Sequence, residues 1–136
     1  MGEPNQVKWR GIRPVEPREA IPVQPFCDFG TQVAKDAYAE NSTVIIHTVT
    51  SGKSLYLCSI ALSVIPAATG YGYFYVRDEN DTTQYRFFRP RRQQYDGEMV
   101  SMTFNPPLII PETWDICLMS EVDGFGMRGF IFGYEV

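Results

Sequence analysis

The sequence predicts an all-β protein: an eight-stranded antiparallel β-sandwich, of the jelly-roll kind, preceded by an extended proline-rich arm. Three observations carry this. Short runs of β-branched and aromatic residues recur from residue 43 onward, separated by Gly, Pro, Asn and Asp. Eleven Gly and ten Pro in 136 residues oppose a helical bundle. Pro4, Pro14, Pro17, Pro22 and Pro25 crowd into the N-terminal segment, where each fixes its own φ and keeps its predecessor extended.

Residues 1–26 therefore read as an arm on a polyproline-like path. Val7, Trp9, Ile12, Val15, Ile21, Val23 and Phe26 make it too apolar for a solvated tail. It either folds back on its own domain or reaches a neighbouring subunit. Residues 27–41 read as a connector, with Thr31 to Tyr38 able to form one short helical turn. The domain organisation is thus arm and connector over 1–41 and jelly roll over 42–136.

The strands follow in order. Thr43–Thr50 is β-branched almost throughout, and Ser51-Gly52-Lys53-Ser54 turns the chain. Leu55–Ile65 alternates, with Tyr56, Cys58, Ile60, Leu62 and Val64 on one face and the smaller Leu55, Leu57, Ser59, Ala61 and Ser63 on the other. Tyr71–Arg77 and Gln84–Arg89 flank the polar turn Asp78-Glu79-Asn80-Asp81. Glu98–Phe104 is a fifth strand, ended by Asn105-Pro106-Pro107, and Leu108–Ile110 a brief sixth. Trp114–Glu121 and Met127–Val136 complete the set, Gly129 and Gly133 suggesting a bulge or a close backbone approach. An immunoglobulin-like sandwich is the alternative, but its Cys…Trp…Cys arrangement is absent. A closed up-and-down barrel fits less well, because Pro66, Pro90, Pro106, Pro107 and Pro111 mark broken connections.

One domain fits this length. No run of roughly 18 apolar residues marks a membrane span. Met1–Gln6 lacks the basic and apolar stretches of a signal peptide, and Gln6 stands where a myristoylation signal needs Ser or Thr. Synthesis in a reducing cytoplasm is expected. Cys27, Cys58 and Cys117 agree with that: three, widely spaced, with the last two inside apolar runs as buried free thiols. A formal charge of −4 disfavours nucleic acid and membrane as partners.

Signals for chemistry are weak. His47 is the single histidine, set among branched residues, and reads as a hydrogen-bonded strand residue rather than a base. One His and dispersed Cys give no zinc spacing, so no metal and no cofactor are expected. Asp78-Glu79-Asn80-Asp81 lacks the register of a calcium loop and reads as a solvated hairpin tip. Asp115 beside Trp114 is the nearest approach to a carboxylate in an apolar setting and reads as a rim residue. Gly124-Phe125-Gly126-Met127-Arg128-Gly129 matches a dinucleotide fingerprint in letters, but strand follows where a helix is required.

Two features point to interfaces instead. Tyr85–Tyr95 interleaves Arg86, Arg89, Arg91 and Arg92 with aromatics, as a solvated loop, a protein-docking segment or, less favoured by the net charge, a single-stranded nucleic-acid site would. Tyr71, Tyr73, Phe74 and Tyr75, like Phe130, Phe132 and Tyr134 with Ile131, leave a strand apolar on both faces, which calls for a second cover beyond the core. A homotrimer or larger ring is the favoured assembly. The predicted interface residues are Trp9, Ile12, Phe26, Arg89, Arg91, Arg92, Tyr73, Tyr75, Phe130 and Phe132.

The run Val49–Ile60, VTSGKSLYLCSI, resembles a segment of small bacteriophage virion proteins, in which a strand ending V-x-x-G-K precedes one opening L-Y-L/V-x-S-I. Phe104–Thr113 is similar to their F-x-P-L-x-V-P-x-G-T stretch, with one extra residue and Glu112 where Gly is usual. Gly133-Tyr134-Glu135 matches their closing G-Y/W-E. The resemblance covers residues 43–136 and implies a non-enzymatic jelly-roll module of the virion: a capsid decoration (cement) protein on the particle surface, or a tail or fibre component. It implies further copies of the chain and the major capsid protein as partners. The alternative is a receptor- or carbohydrate-binding module using Tyr95, Trp114 and Phe125. A hydrolase on the same sandwich, depending on His47 or on acids alone, ranks last.

Overall fold

The computed structural model describes residues 30–136. Within them the chain forms nine strands: β1 (Thr31–Glu40), β2 (Ser42–Thr48), β3 (Leu55–Pro66), β4 (Gly70–Arg77), β5 (Thr83–Phe88), β6 (Arg91–Arg92), β7 (Glu98–Ile110), β8 (Asp115–Ser120) and β9 (Phe125–Glu135). They make two antiparallel sheets packed face to face. The first runs β1-β9-β3-β7; the second runs β2-β8-β4-β5, with β6 added alongside β4. The predicted all-β antiparallel sandwich is therefore the architecture of these residues.

Three expectations need correction. Residues 31–40, read as a connector with a helical turn, form β1, paired with β9 from Thr31↔Glu135 to Glu40↔Gly126. Its Ala, Lys, Asp and Glu are poor strand formers, but an edge strand must bury little, and here Val33 and Ala39 suffice. Asn41, at φ 49°, then swings the chain into the second sheet, a conformation Asn tolerates better than most residues.

The second correction concerns β3. Its pairing shifts between Leu57 and Ser59 on both neighbours, so Cys58 is the extra residue of a bulge. The bulge reverses the alternation. Leu55 and Leu57 point inward before it, and Ile60, Leu62 and Val64 point inward after it. Tyr56 and Cys58, expected to share a face with Ile60, Leu62 and Val64, do not. The third is β7, which runs unbroken through Asn105, Pro106 and Pro107. Thr103 pairs with Ser59 and Leu108 with Leu57, so residues 104–107 are accommodated opposite Cys58 alone. β7 is an edge strand, where a missing donor costs the sheet nothing.

The core lies between the sheets. Phe74 and Leu118 from one side meet Leu62 and Met127 from the other, all fully buried. Each such side chain contributes about 1.5–3 kcal/mol by leaving water. Phe74 takes the edges of Phe87 and Phe88, with centroids at 5.6 and 6.0 Å, and Phe87 leans on Phe104 across the open side of the sandwich. Gly133 meets the expectation of a close approach: a Cβ there would lie 2.4 Å from the Tyr56 carbonyl oxygen.

Candidate functional site

Alternation along β4 sends Phe74 and Val76 inward and Tyr71, Tyr73, Tyr75 and Arg77 onto the outer face of the second sheet. Tyr75 is already covered by its own chain, at 8% exposure, and burial pushes its hydroxyl pKa up. Tyr71 and Tyr73 stay half-open and meet edge to face at 6.2 Å. The register Tyr75↔Arg86 brings β5 alongside and sets the Arg86 guanidinium 4.8 Å from the centre of the Tyr73 ring. Arg89 lies over the same ring at 5.5 Å. Pairing of Tyr71 with Arg91 places that guanidinium 5.6 Å over Tyr71. Among the described residues, no side-chain hydrogen bond or ion pair engages these stacked guanidiniums.

The arginines read together in the sequence thus divide. Arg86, Arg89 and Arg91 are exposed, and none makes an ion pair among the described residues. Arg92 is bound internally to Glu98. Arg77 is held by Asp115 at 3.1 Å and Asp81 at 3.4 Å. Beside the stacked set lies a shallow hollow of about 220 Å³ lined by Tyr73, Tyr75, Asp81, Thr83, Arg86 and Met119.

The outer face of the first sheet is different in kind. Phe130 and Phe132 project from β9, half-buried, beside Ala61 and Ser59 of β3 and Ser101 and Thr103 of β7. These small side chains leave a hollow of about 300 Å³ against the two rings. Phe132 meets Tyr134 edge-on at 5.3 Å. At the far end Arg128 bonds Asp36 at 2.6 Å and stacks over Tyr38. The four predicted strand aromatics therefore occupy two opposite faces and do not form one site.

A third group is buried where the sheets meet. His47 Nε2 lies 2.7 Å from Glu135 Oε2, and Lys35 Nζ lies 2.9 Å from His47 Nδ1. An ammonium only donates, so Nδ1 accepts and Nε2–H donates to Glu135. The Thr50 amide and hydroxyl also donate to Glu135, at 2.9 and 2.7 Å. Burial pulls the Glu135 carboxyl upward, but the Thr50 and His47 donors outweigh it and hold the pKa below the ordinary glutamate value. His47 is thus a strand residue with both ring nitrogens engaged.

The remaining candidates are placed as follows. Trp9, Ile12, Phe26 and Cys27, with the whole predicted arm, lie outside the described residues. Asp78 caps its own turn: Oδ1 accepts from the Asn80 and Thr82 amides and Oδ2 from Gln84. The Thr82 amide is the main cause of its lowered pKa. Asp115 accepts from Thr48 at 2.6 Å and from Arg77, a half-buried structural pair rather than a rim acid. Tyr95 is 80% exposed, but Phe125, expected in a loop, is fully buried at the start of β9. Cys117 is buried as expected, whereas Cys58 is half-exposed at the bulge. Among the described residues no group of three or more His, Cys, Asp or Glu could hold a metal ion.

Lys35, Thr50, Glu135 and Met119 were not among the site residues predicted from the sequence. The alternation of β9 carries a signal for Glu135: it falls in phase with Phe125, Met127 and Ile131, all inward. An acid on a core face needs a buried partner. No protein-family model matches the chain, and no curated protein matches it.

Proposed function

We propose that the chain is a non-enzymatic structural protein of a phage virion, a jelly roll that decorates and stabilises the capsid exterior. The jelly-roll reading is supported by the pairs β1·β9, β2·β8, β3·β7 and β4·β5, those of one long antiparallel ribbon folded upon itself. The added pairs β3·β9 and β4·β8 are those made when such a ribbon rolls up. The virion assignment rests on the resemblance of Val49–Ile60 and Gly133–Glu135 to phage virion modules.

The observation that carries an assembly role is the aromatic character of both outer faces: Tyr71 and Tyr73 on one sheet, Phe130 and Phe132 on the other. A module bearing two such faces can touch two neighbours at once. The proline-rich segment 1–26 would act as a tether, raising the effective concentration of weak contacts on a repeating shell. The partners are further copies of the chain, as a trimer, and the major capsid protein.

The test is labelling of intact particles with antibodies against the full chain, with light scattering of the purified protein alongside. Label over the whole head and a molar mass that is a multiple of 15.5 kDa are expected. A clean monomer that labels no particle overturns the proposal. One observation favours a second reading, a glycan- or receptor-binding module of a tail or fibre. Tyr95 stands 80% exposed with Ile65 at 56%, beside a shallow hollow of about 340 Å³. Such a ring can stack on a sugar. Label confined to the tail tip, with binding on a glycan array lost in Tyr95→Ala, selects it.

A further inference from the structure

We infer that the outer face of β4, β5 and β6 is a docking surface for an acidic polypeptide segment. The inference deepens the assembly role proposed above by naming the chemistry of one partner, and it rests on that role only for where the partner resides. Three observations carry it.

The first is charge. Arg86, Arg89 and Arg91 lie together on a chain of formal charge −4, and no carboxylate among the described residues neutralises them. Arg77 and Arg92, close by in sequence, are both paired internally. The fold thus satisfies some of its arginines and leaves a compact set of three for something else.

The second is preorganisation. Each of the three guanidiniums is laid against a tyrosine ring, at 4.8, 5.5 and 5.6 Å from ring centroids. Stacking limits rotamer freedom, so less entropy is lost when a carboxylate arrives. The planar fork matches a carboxylate with two parallel hydrogen bonds.

The third is the boundary of the face. Glu121 accepts from Tyr71 at 2.5 Å on one side, and Asp81 lines the hollow beside Arg86 on the other. These two acids at its borders oppose a long continuous polyanion. The hollow itself is lined by Asp81 and Thr83 as well as Tyr73, Tyr75 and Met119, so a phosphate entering it beside Arg86 would meet a carboxylate. A nucleic acid fits this face poorly for both reasons.

The probe is a fluorescein-labelled peptide, Glu-Glu-Leu-Glu-Glu-Leu-Glu-Glu, titrated against the full chain by anisotropy, with a labelled oligothymidylate in parallel. The combined variant Arg86→Gln, Arg89→Gln, Arg91→Gln should lose at least tenfold in peptide affinity. The Lys replacements at the same three positions, which keep the charge and lose the fork, should fall between it and the parent. Arg128→Gln, on the opposite sheet, should bind as the parent does. Thermal melts of every variant establish that the sandwich persists, and all three arginines are exposed. Equal peptide binding by parent and Gln variant overturns the inference. So does oligothymidylate binding that is tighter than peptide binding and lost in the Gln variant, which would assign the face to nucleic acid. A parent oligomer that the Gln variant cannot form would assign it to a second copy and equally overturn it. Peptide binding that holds while particles remain unlabelled would remove the virion role and leave this surface standing.

Discussion

Glu135 offers the sharpest test of how the two sheets are held together. Its carboxylate takes three donors, His47 Nε2 at 2.7 Å, the Thr50 amide at 2.9 Å and the Thr50 hydroxyl at 2.7 Å, while the side chain is almost fully buried. In Glu135→Gln the amide oxygen can keep His47 and the Thr50 amide, and the new NH₂ can donate to a rotated Thr50 hydroxyl. Three charge-assisted bonds become neutral ones, at roughly 1 kcal/mol each, so the variant should lose about 2–3 kcal/mol at neutral pH. Glu135→Ala strands all three donors. At about 1–3 kcal/mol each, relieved in part by water at the exposed Thr50, the loss should be about 4 kcal/mol.

The pH dependence follows from the direction of the shift. The folded pKa of Glu135 is lowered, so its contribution is fully present above the unfolded value, roughly 4.3, and fades as pH falls through the folded value. Urea unfolding followed by Trp114 fluorescence and by circular dichroism, at neutral pH and at steps below the ordinary glutamate range, reads both effects. The gap between parent and Glu135→Gln should be largest at neutral pH and narrow on acidification. A Gln variant within about 0.5 kcal/mol of the parent at neutral pH, or a gap that acid leaves unchanged, would refute the reasoning.

Other outcomes follow from the same geometry. Gly72→Ala should cost about 2–4 kcal/mol by urea midpoint, because its Cβ would lie 2.3 Å from the Met119 carbonyl oxygen, which is backbone of the paired strand. Leu118→Ala should cost about 2–5 kcal/mol, whereas Met99→Ala, at a residue 68% exposed, should fall within about 0.5 kcal/mol of the parent. Burial pushes the Cys117 thiol up to about 11, so Ellman's reagent at mildly alkaline pH should leave it unmodified until the protein unfolds. Rapid labelling of Cys117 in the native protein would contradict its placement.

How much of this was legible in the sequence depended on whether a feature is local. β2, β4 and β8 declared themselves by β-branched and aromatic runs, because those residues sit on pleated, buried surfaces. β1 did not. Its residues are ordinary, and what makes Thr31–Glu40 a strand is the unpaired edge of β9 beside it. The faces of β3 were misread because a one-residue bulge at Cys58 reverses the alternation, and nothing about Cys58 itself announces it. The proline pair in β7 looked like a break because edge position, which makes it tolerable, is a property of the sheet. At the candidate site, the arginine run was visible. Its stacking on Tyr71 and Tyr73 was not, since that depends on the register of β4 with β5 and β6. Nor could the run itself reveal that Glu98 would claim Arg92.

The position of β9 has a consequence for how the chain acquires its fold. β9 sits between β1 and β3, pairing with both along its whole length. A ribosome-bound chain that has emerged only through β8 therefore holds two strands of the first sheet with no strand between them, each presenting an open edge. Sheet completion waits for β9, which follows every strand it joins, and the closing contacts span nearly the full described length, as in Thr31↔Glu135. Domains dominated by such distant pairings fold on the order of milliseconds to seconds. Until then those edges are templates for any other extended chain, so crowded synthesis of this protein runs its greatest risk of mispairing in the interval before β9 slots in.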